Sequence, residues 1–282
     1  MLLAAAILVF APLVIVPLGL SHLHEVATTV PKLWSWVRRL QFPAAISFAI
    51  AFFLSQGSIA ALLCLPWVAI TGLLALCGVI YLAKKVRSVD SKLLIAAALC
   101  FIPIGSSWAL ISRWGFPPTP FSDEIILLTG VHFHYAAFAL PIIASSIMQS
   151  SPTWHERLMV VGLITGIPLL AIGITFSPLI EVAAALVIAC SCWWLAALMF
   201  LRADDTNASD AALQNISALS IACGMVLAAM YALGEYTGNS WIDIPMMIPL
   251  HGVANSIGFS LLGLLSLYYR RASTAAVADG NT

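Results

Sequence analysis

Long apolar runs alternate with short polar clusters along almost the whole chain. A helix rises 1.5 Å per residue, so about 20 apolar residues cover a hydrocarbon core of about 30 Å. Hydropathy, punctuated by Gly, Pro and charged residues, predicts nine spans: residues 2–20, 41–56, 59–82, 93–112, 122–149, 157–176, 179–201, 211–235 and 244–269. The second is the shortest, and the break at Ser55, Gln56, Gly57 and Ser58 would equally suit a re-entrant bend.

The basic residues test that count. With the N-terminus outside, the cytoplasmic segments hold Lys32, Arg38 and Arg39, then Lys84, Lys85, Arg87 and Lys92, then Arg157 and Arg202, and last Arg270 and Arg271. That is eleven of the twelve; Arg113 alone falls on the other side. Cytoplasmic loops of membrane proteins carry such an excess of Lys and Arg. The pattern implies an all-α polytopic transmembrane helix bundle of about nine spans, N-terminus outside and C-terminus inside, in the cytoplasmic membrane. One transmembrane domain is expected over 1–271, with a small, polar, disordered tail at 272–282. No basic residue precedes Lys32, so the first apolar run reads as a retained span rather than a cleaved signal. An odd span count argues against two equal halves. Trp34, Trp36, Trp193, Trp194, Tyr268 and Tyr269 near span ends read as interfacial anchors.

Composition narrows the function classes. Hydrophobic residues make up 62% of the chain and charged ones 9%, with no net charge, so the lipid bilayer is the expected partner and nucleic acid is not. No P-loop is present, and the loops are too short for a nucleotide domain. Cys64, Cys77, Cys100, Cys190, Cys192 and Cys223 all lie in apolar runs and read as small buried hydrophobes. The Asn-x-Ser matches at Asn207 and Asn215 fall on the cytoplasmic side and read as chance.

Against this oily background the polar residues inside spans stand out. The fifth span enters near Asp123 and Glu124, after Ser122 as N-cap and a stiff proline-set loop, FPPTPFSDE. His132 then lies about 8–9 residues deep, ~13 Å along the axis. The ninth span enters near Asp243, and His251 lies about 8 residues deep, ~12 Å. Two helices thus bring a histidine to one level, near the middle of the outer half. His132 and His134 diverge by about 200° on a regular helix, so both cannot face one small centre unless the helix is distorted. Tyr135 shares the face of His132, and Pro141 is expected to disturb the helix around Ala137. His251 and Asn255, at i and i+4, share a face, with Gly252 and Ser256 beside it allowing close helix approach. Glu235, Glu181, Arg113, Ser106, Ser107 and Trp108 lie towards the outside, the two carboxylates at span ends where water or a helix dipole accommodates them. His22, His24, Glu25 and His155 read as solvated loop residues.

Several enzyme classes find no motif: there is no His-Glu-x-x-His, no four-histidine di-iron box and no nucleophile elbow. Haem between histidines of facing helices, or a metal held by His132, His134, His251 and a carboxylate such as Glu235, fits the residue types without a diagnostic spacing. The sequence requires no cofactor. Packing is the bland reading of the same histidines, yet ionisable groups inside a membrane are functional hypotheses by default.

Two blocks, Thr129 to Pro141 (TGVHFHYAAFALP) and His251 to Phe259 (HGVANSIGF), resemble those that mark the YndJ-like bacterial membrane proteins, an uncharacterised family sometimes given a transporter label. The resemblance covers essentially the whole chain and falls on His132, Phe133, Tyr135, Phe138, His251, Gly252, Asn255 and Phe259. It implies a polytopic domain in a bacterial membrane, and it favours His132 over His134, the more variable position of the pair.

The expectation is therefore a transporter of a small solute, with proton coupling as one form of it. His132 and His251 titrate or bind solute, Tyr135 and Asn255 assist, and Glu181 or Glu235 supplies a carboxylate at the mouth. Histidine suits such a role because its unperturbed pKa is about 6.5. A metal- or haem-dependent membrane enzyme using the same histidines is the alternative, and a structural or sensory protein the third reading.

Overall fold

A computed structural model of the chain describes residues 1–84, 89–116, 120–149, 151–203, 208–239 and 241–280, and side chains as far as Arg271. Lys85, Arg87, Asn207, the Pro117–Thr119 part of the entry loop and the side chains of the 272–282 tail lie outside the described residues. Among the described residues there are helices and no strands. They are α1 (Leu2–Ser21), α2 (His24–Thr29), α3 (Pro31–Ala51), α4 (Ser58–Ala83), α5 (Val89–Trp114), α6 (Asp123–Ile147), α7 (Trp154–Phe176), α8 (Pro178–Leu201), α9 (Ala208–Thr237) and α10 (Ile244–Arg271), the last continuing helically to Gly280.

Eight of these helices are long and apolar enough to cross a membrane: α1 and α4 to α10. The second expected span is the one that differs. Residues 41–56 are not a helix of their own but the apolar second half of α3 followed by a turn. The helix begins ten residues earlier, with Pro31 in its first turn, because Lys32, Arg38 and Arg39 interrupt hydropathy without interrupting helix. Arg38 reaches back to the Pro17 carbonyl at 3.3 Å, its charge carried away from the apolar half. That half packs against α4, with Ser47 Oγ donating to the Leu63 carbonyl at 2.8 Å and the Phe48 and Trp67 rings 6.2 Å apart.

The reading of His22 and Glu25 as solvated loop residues is corrected in part. His22 is buried, and Glu25, at the start of α2, accepts a 2.6 Å hydrogen bond from the Tyr81 hydroxyl. Likewise His155 lies in the first turn of α7, stacked on Trp154 and Trp194 with ring centroids 3.6 and 5.3 Å away. Of the residues read as solvated loop, His22 keeps its place in the turn before α2 but is buried, whereas Glu25 and His155 are exposed but helical.

The helices form two compact units, Met1–Ile142 and Ile143–Thr282. Unit 1 closes over Leu8, Phe48, Trp67, Leu99 and Phe138, and unit 2 over Leu163, Ala189, Leu195, Phe259 and Leu264, all fully buried. Helix α6 widens into a π-turn at Tyr135–Ala139 and α1 into another at Ala11–Ile15. Pro141 and Pro17 each follow two residues later. Proline has no N–H and its ring presses on the carbonyl four residues back, and the wider turn relieves that clash. In α10, π-turns at Ile248–Gly252 and Ala254–Leu261 occupy the stretch that carries His251 and Asn255.

Candidate functional site

In unit 1 the two histidines of the fifth span part company. The His134 ring is fully buried, and its Nδ1 faces the Gly130 carbonyl at 2.8 Å. A carbonyl only accepts, so Nδ1 carries the proton and Nε2 is left as the acceptor. Trp67 fills that role, its indole N–H donating to Nε2 at 3.0 Å. Beside it, the Thr71 and Ser106 hydroxyls meet at 2.7 Å. Gly105 is what lets α5 come so close: a Cβ there would stand 2.7 Å from Phe133 Cβ and 2.9 Å from His134 Nδ1. His134 is therefore a neutral ring held from both sides.

His132 points the other way and is exposed on unit 1, with Nδ1 on the Leu128 carbonyl at 2.8 Å. Tyr135 does not follow it. At the start of the π-turn Tyr135 turns inward, buried, and its hydroxyl donates to the Ile7 carbonyl at 2.8 Å.

In unit 2 the ninth-span pair meets the eighth span. His251 Nδ1 faces the Gly224 carbonyl of α9 at 2.8 Å, which again fixes the proton on Nδ1. Asn255 Nδ2 lies 3.1 Å from Nε2 and 3.2 Å from Nδ1, so the amide lies across the ring rather than in line with one nitrogen. Its other end is the anomaly: Asn255 Oδ1 is buried and has no hydrogen-bond partner, and neither has the neighbouring Ser256 Oγ. Gly224 makes room for the amide, since a Cβ there would stand 2.5 Å from Oδ1 and 2.9 Å from Nδ2. Small residues carry the rest of this contact. Ser217 Oγ donates to the Phe259 carbonyl at 2.8 Å, Ser220 lies against Gly258, and Ser260 Oγ donates to the Asn255 carbonyl at 2.7 Å.

Glu181 and Glu235 stand together at the end of unit 2 where α8 begins and α9 finishes, near enough for the charge on Glu235 to act on Glu181. Leu170, Val182, Ala185, Ala232 and Leu233 pack beneath them. Glu235 is eleven residues along α9 from Gly224, ~16 Å at the helical rise, so the carboxylates do not touch the His251 site. Two open depressions of unit 2, one at Asp210 and Tyr269 and one at His155 and Cys190, lie towards the opposite end and hold none of these residues.

Among the described residues no three His, Cys, Asp or Glu side chains are grouped to hold a metal ion, and all six cysteines are free thiols. Sequence reasoning missed Trp67, Gly224 and Ser217 as partners. A tryptophan in mid-span rather than at an end, and small residues at 217, 220 and 224 in helical register, were the signals available.

A family profile described as YndJ-like protein matches residues 6–259. Over 172 residues the chain is 28% identical to the "Uncharacterized membrane protein YndJ" of Bacillus subtilis (strain 168), a match covering 59% of this chain and 31% of that protein. This chain thus spans about a third of that relative's length. No solved structure matches. With the profile covering both histidine-bearing helices and most of the spans, this multi-pass membrane protein belongs to the YndJ-like family.

Proposed function

We propose that the chain moves a small solute across the membrane in a proton-linked manner, with His251 and Asn255 at the centre of the polar site. His132 serves as a second titrating group, and Glu181 and Glu235 line the entrance on the outer side. The observation that carries this reading is the buried Asn255 Oδ1 without a donor, beside His251. Leaving such a group unsatisfied costs about 1–3 kcal/mol. An interhelical bond in a membrane returns only about 1 kcal/mol or less. An aliphatic side chain at 255 would serve packing better, so the amide has another use.

A proton arriving on His251 makes both ring nitrogens donors. A half-turn of the Asn255 amide then presents Oδ1 to the ring, and the unsatisfied acceptor gains its partner. The π-turns of α10 support the same reading, because such widened turns are frequent at functional sites.

The test is uptake by vesicles holding the full chain, across a panel of labelled small solutes, with and without a proton gradient. A flux that depends on the gradient and is lost in His251→Gln and Asn255→Leu, but kept in His134→Phe, supports the proposal. Equal flux in wild type, His251→Gln and Asn255→Leu would remove it.

A further inference from the structure

Unit 2 keeps its arginines at one end. Arg202 pairs with Glu156 at 2.7 Å, and Arg270 donates to the Gln214 side chain at 3.1 Å. These contacts put the start of α7 and the finish of α8 and α10 at one end, which therefore holds Arg157, Arg202, Arg270 and Arg271. The other end holds Glu181, Glu235 and Asp243, the last committed as N-cap to the Met246 amide at 2.9 Å. No Lys or Arg occurs between Arg157 and Arg202, or between Arg202 and Arg270, so unit 2 has no cation at that end. Two neighbouring carboxylates without such a partner sustain a negative potential.

Arginine placement of this kind follows from membrane topology alone and says nothing by itself about a ligand. The interior supplies the second observation. Around Asn255 four side-chain donors are already committed: His251 Nδ1 to Gly224, Asn255 Nδ2 to the His251 ring, Ser217 to Phe259 and Ser260 to the Asn255 carbonyl. The buried side-chain atoms left over are oxygens, Asn255 Oδ1 and the Oγ of Ser256, a residue only 2% exposed. Asn255 Oδ1 can only accept, whereas the Ser256 hydroxyl can donate or accept, so the one fixed requirement of the site is a positive group or a donor at Oδ1. A cation or a protonated amine needs oxygen lone pairs, and those remain.

We infer that the site of unit 2 takes a small monovalent cation, inorganic or a protonated amine, drawn in by Glu181 and Glu235 and received by Asn255 Oδ1. The inference rests on the transport reading for its purpose, but not for its test. In mild detergent, the unfolding temperature of the full chain is measured in NaCl, KCl and methylammonium chloride at fixed pH. N-methylglucamine chloride holds the ionic strength constant, and the gluconate salts vary the anion. A ligand that binds only the folded state raises its stability by mass action.

The expected result is a saturable rise with at least one of the three cations, independent of the anion. It is lost in Asn255→Leu, and in Glu181→Gln/Glu235→Gln it needs about tenfold more cation. Should Asn255→Leu not fold, Ser256→Ala and the carboxylate pair carry the comparison. A rise that follows the anion, an equal rise with N-methylglucamine, or a response unchanged in these variants overturns the inference. Cation binding without flux in vesicles removes the transport reading alone, and flux of an anion without cation stabilisation removes this inference alone.

Discussion

Trp67 and His134 form a donor–acceptor pair sealed inside unit 1, indole N–H to Nε2 at 3.0 Å, with the two rings 17° from parallel. With Nδ1 on the Gly130 carbonyl, both ring nitrogens are spent, which makes this histidine a packing element. His134→Phe keeps the ring and strands the indole N–H. The expected loss is about 1–3 kcal/mol, nearer the lower figure if membrane hydrogen bonds set the scale. Adding Trp67→Phe removes the stranded donor and recovers most of it. Unfolding of the single and double variants in detergent measures the difference; equal losses in both would show that the hydrogen bond is not what His134 contributes.

Gly224 and Asn255 make a second prediction. A methyl group at 224 would stand 2.5 Å from Asn255 Oδ1, whereas at Gly72 on α4 nothing lies within 4 Å. Gly72→Ala is expected to be neutral or slightly stabilising, since alanine is the better helix former by about 1 kcal/mol. Gly224→Ala must displace the amide, so it is expected to abolish the transport proposed for this site while the protein remains helical. Circular dichroism beside vesicle uptake separates the two, and a Gly224→Ala protein with wild-type uptake would show that the amide position is irrelevant.

The span pattern was legible because hydropathy belongs to runs of residues and survives the loss of any one of them. The divergence of His132 and His134 was legible too, since 100° per residue is local geometry. Ser122 was readable as an N-cap, and its side chain accepts from the Ile125 amide at 3.3 Å. The start of α3 was not, because Arg38 and Arg39 lower hydropathy without breaking a helix. Nor were the burial of His22, the stacking of His155 or the roles of Trp67 and Gly224. Each depends on a partner distant in sequence, and no periodicity names that partner.

Arg113, the one basic residue expected on the outer side, has a structural use. Its Nε donates to the Ala51 carbonyl at 3.2 Å and its Nη2 to the Leu54 carbonyl at 2.6 Å, with the guanidinium 5.2 Å from the Phe52 ring centre. It closes the open end of α3, where a cation also suits the helix dipole. Arg113→Gln is expected to speed amide exchange over Phe52 to Ser58 and to cost about 1–2 kcal/mol. Arg113→Lys recovers part of that, because an ammonium cannot fork to both carbonyls. Hydrogen exchange read by mass spectrometry decides it: unchanged protection of that turn in Arg113→Gln would leave the cap without consequence.

Glu156 and Arg202 fasten three helix ends of unit 2. Arg202 donates to Glu156 Oε1 at 2.7 Å and to the Ile147 carbonyl at the end of α6. Oε2 of Glu156 accepts from the Thr153 amide at 2.7 Å and hydroxyl at 2.9 Å, completing the capping box of α7. The Glu156 side chain is 2% exposed and that of Arg202 20%. Stranding a fully buried charge costs about 3–5 kcal/mol. Water at the Arg202 side and the surviving cap bonds lower the figure here, so Arg202→Met is expected to lose about 2–3 kcal/mol. Glu156→Gln in that background keeps the cap and removes the stranded charge, and it should restore at least half. A double-mutant cycle of unfolding midpoints measures the coupling. Strict additivity would mean that the pair meets in space without holding the helix ends together.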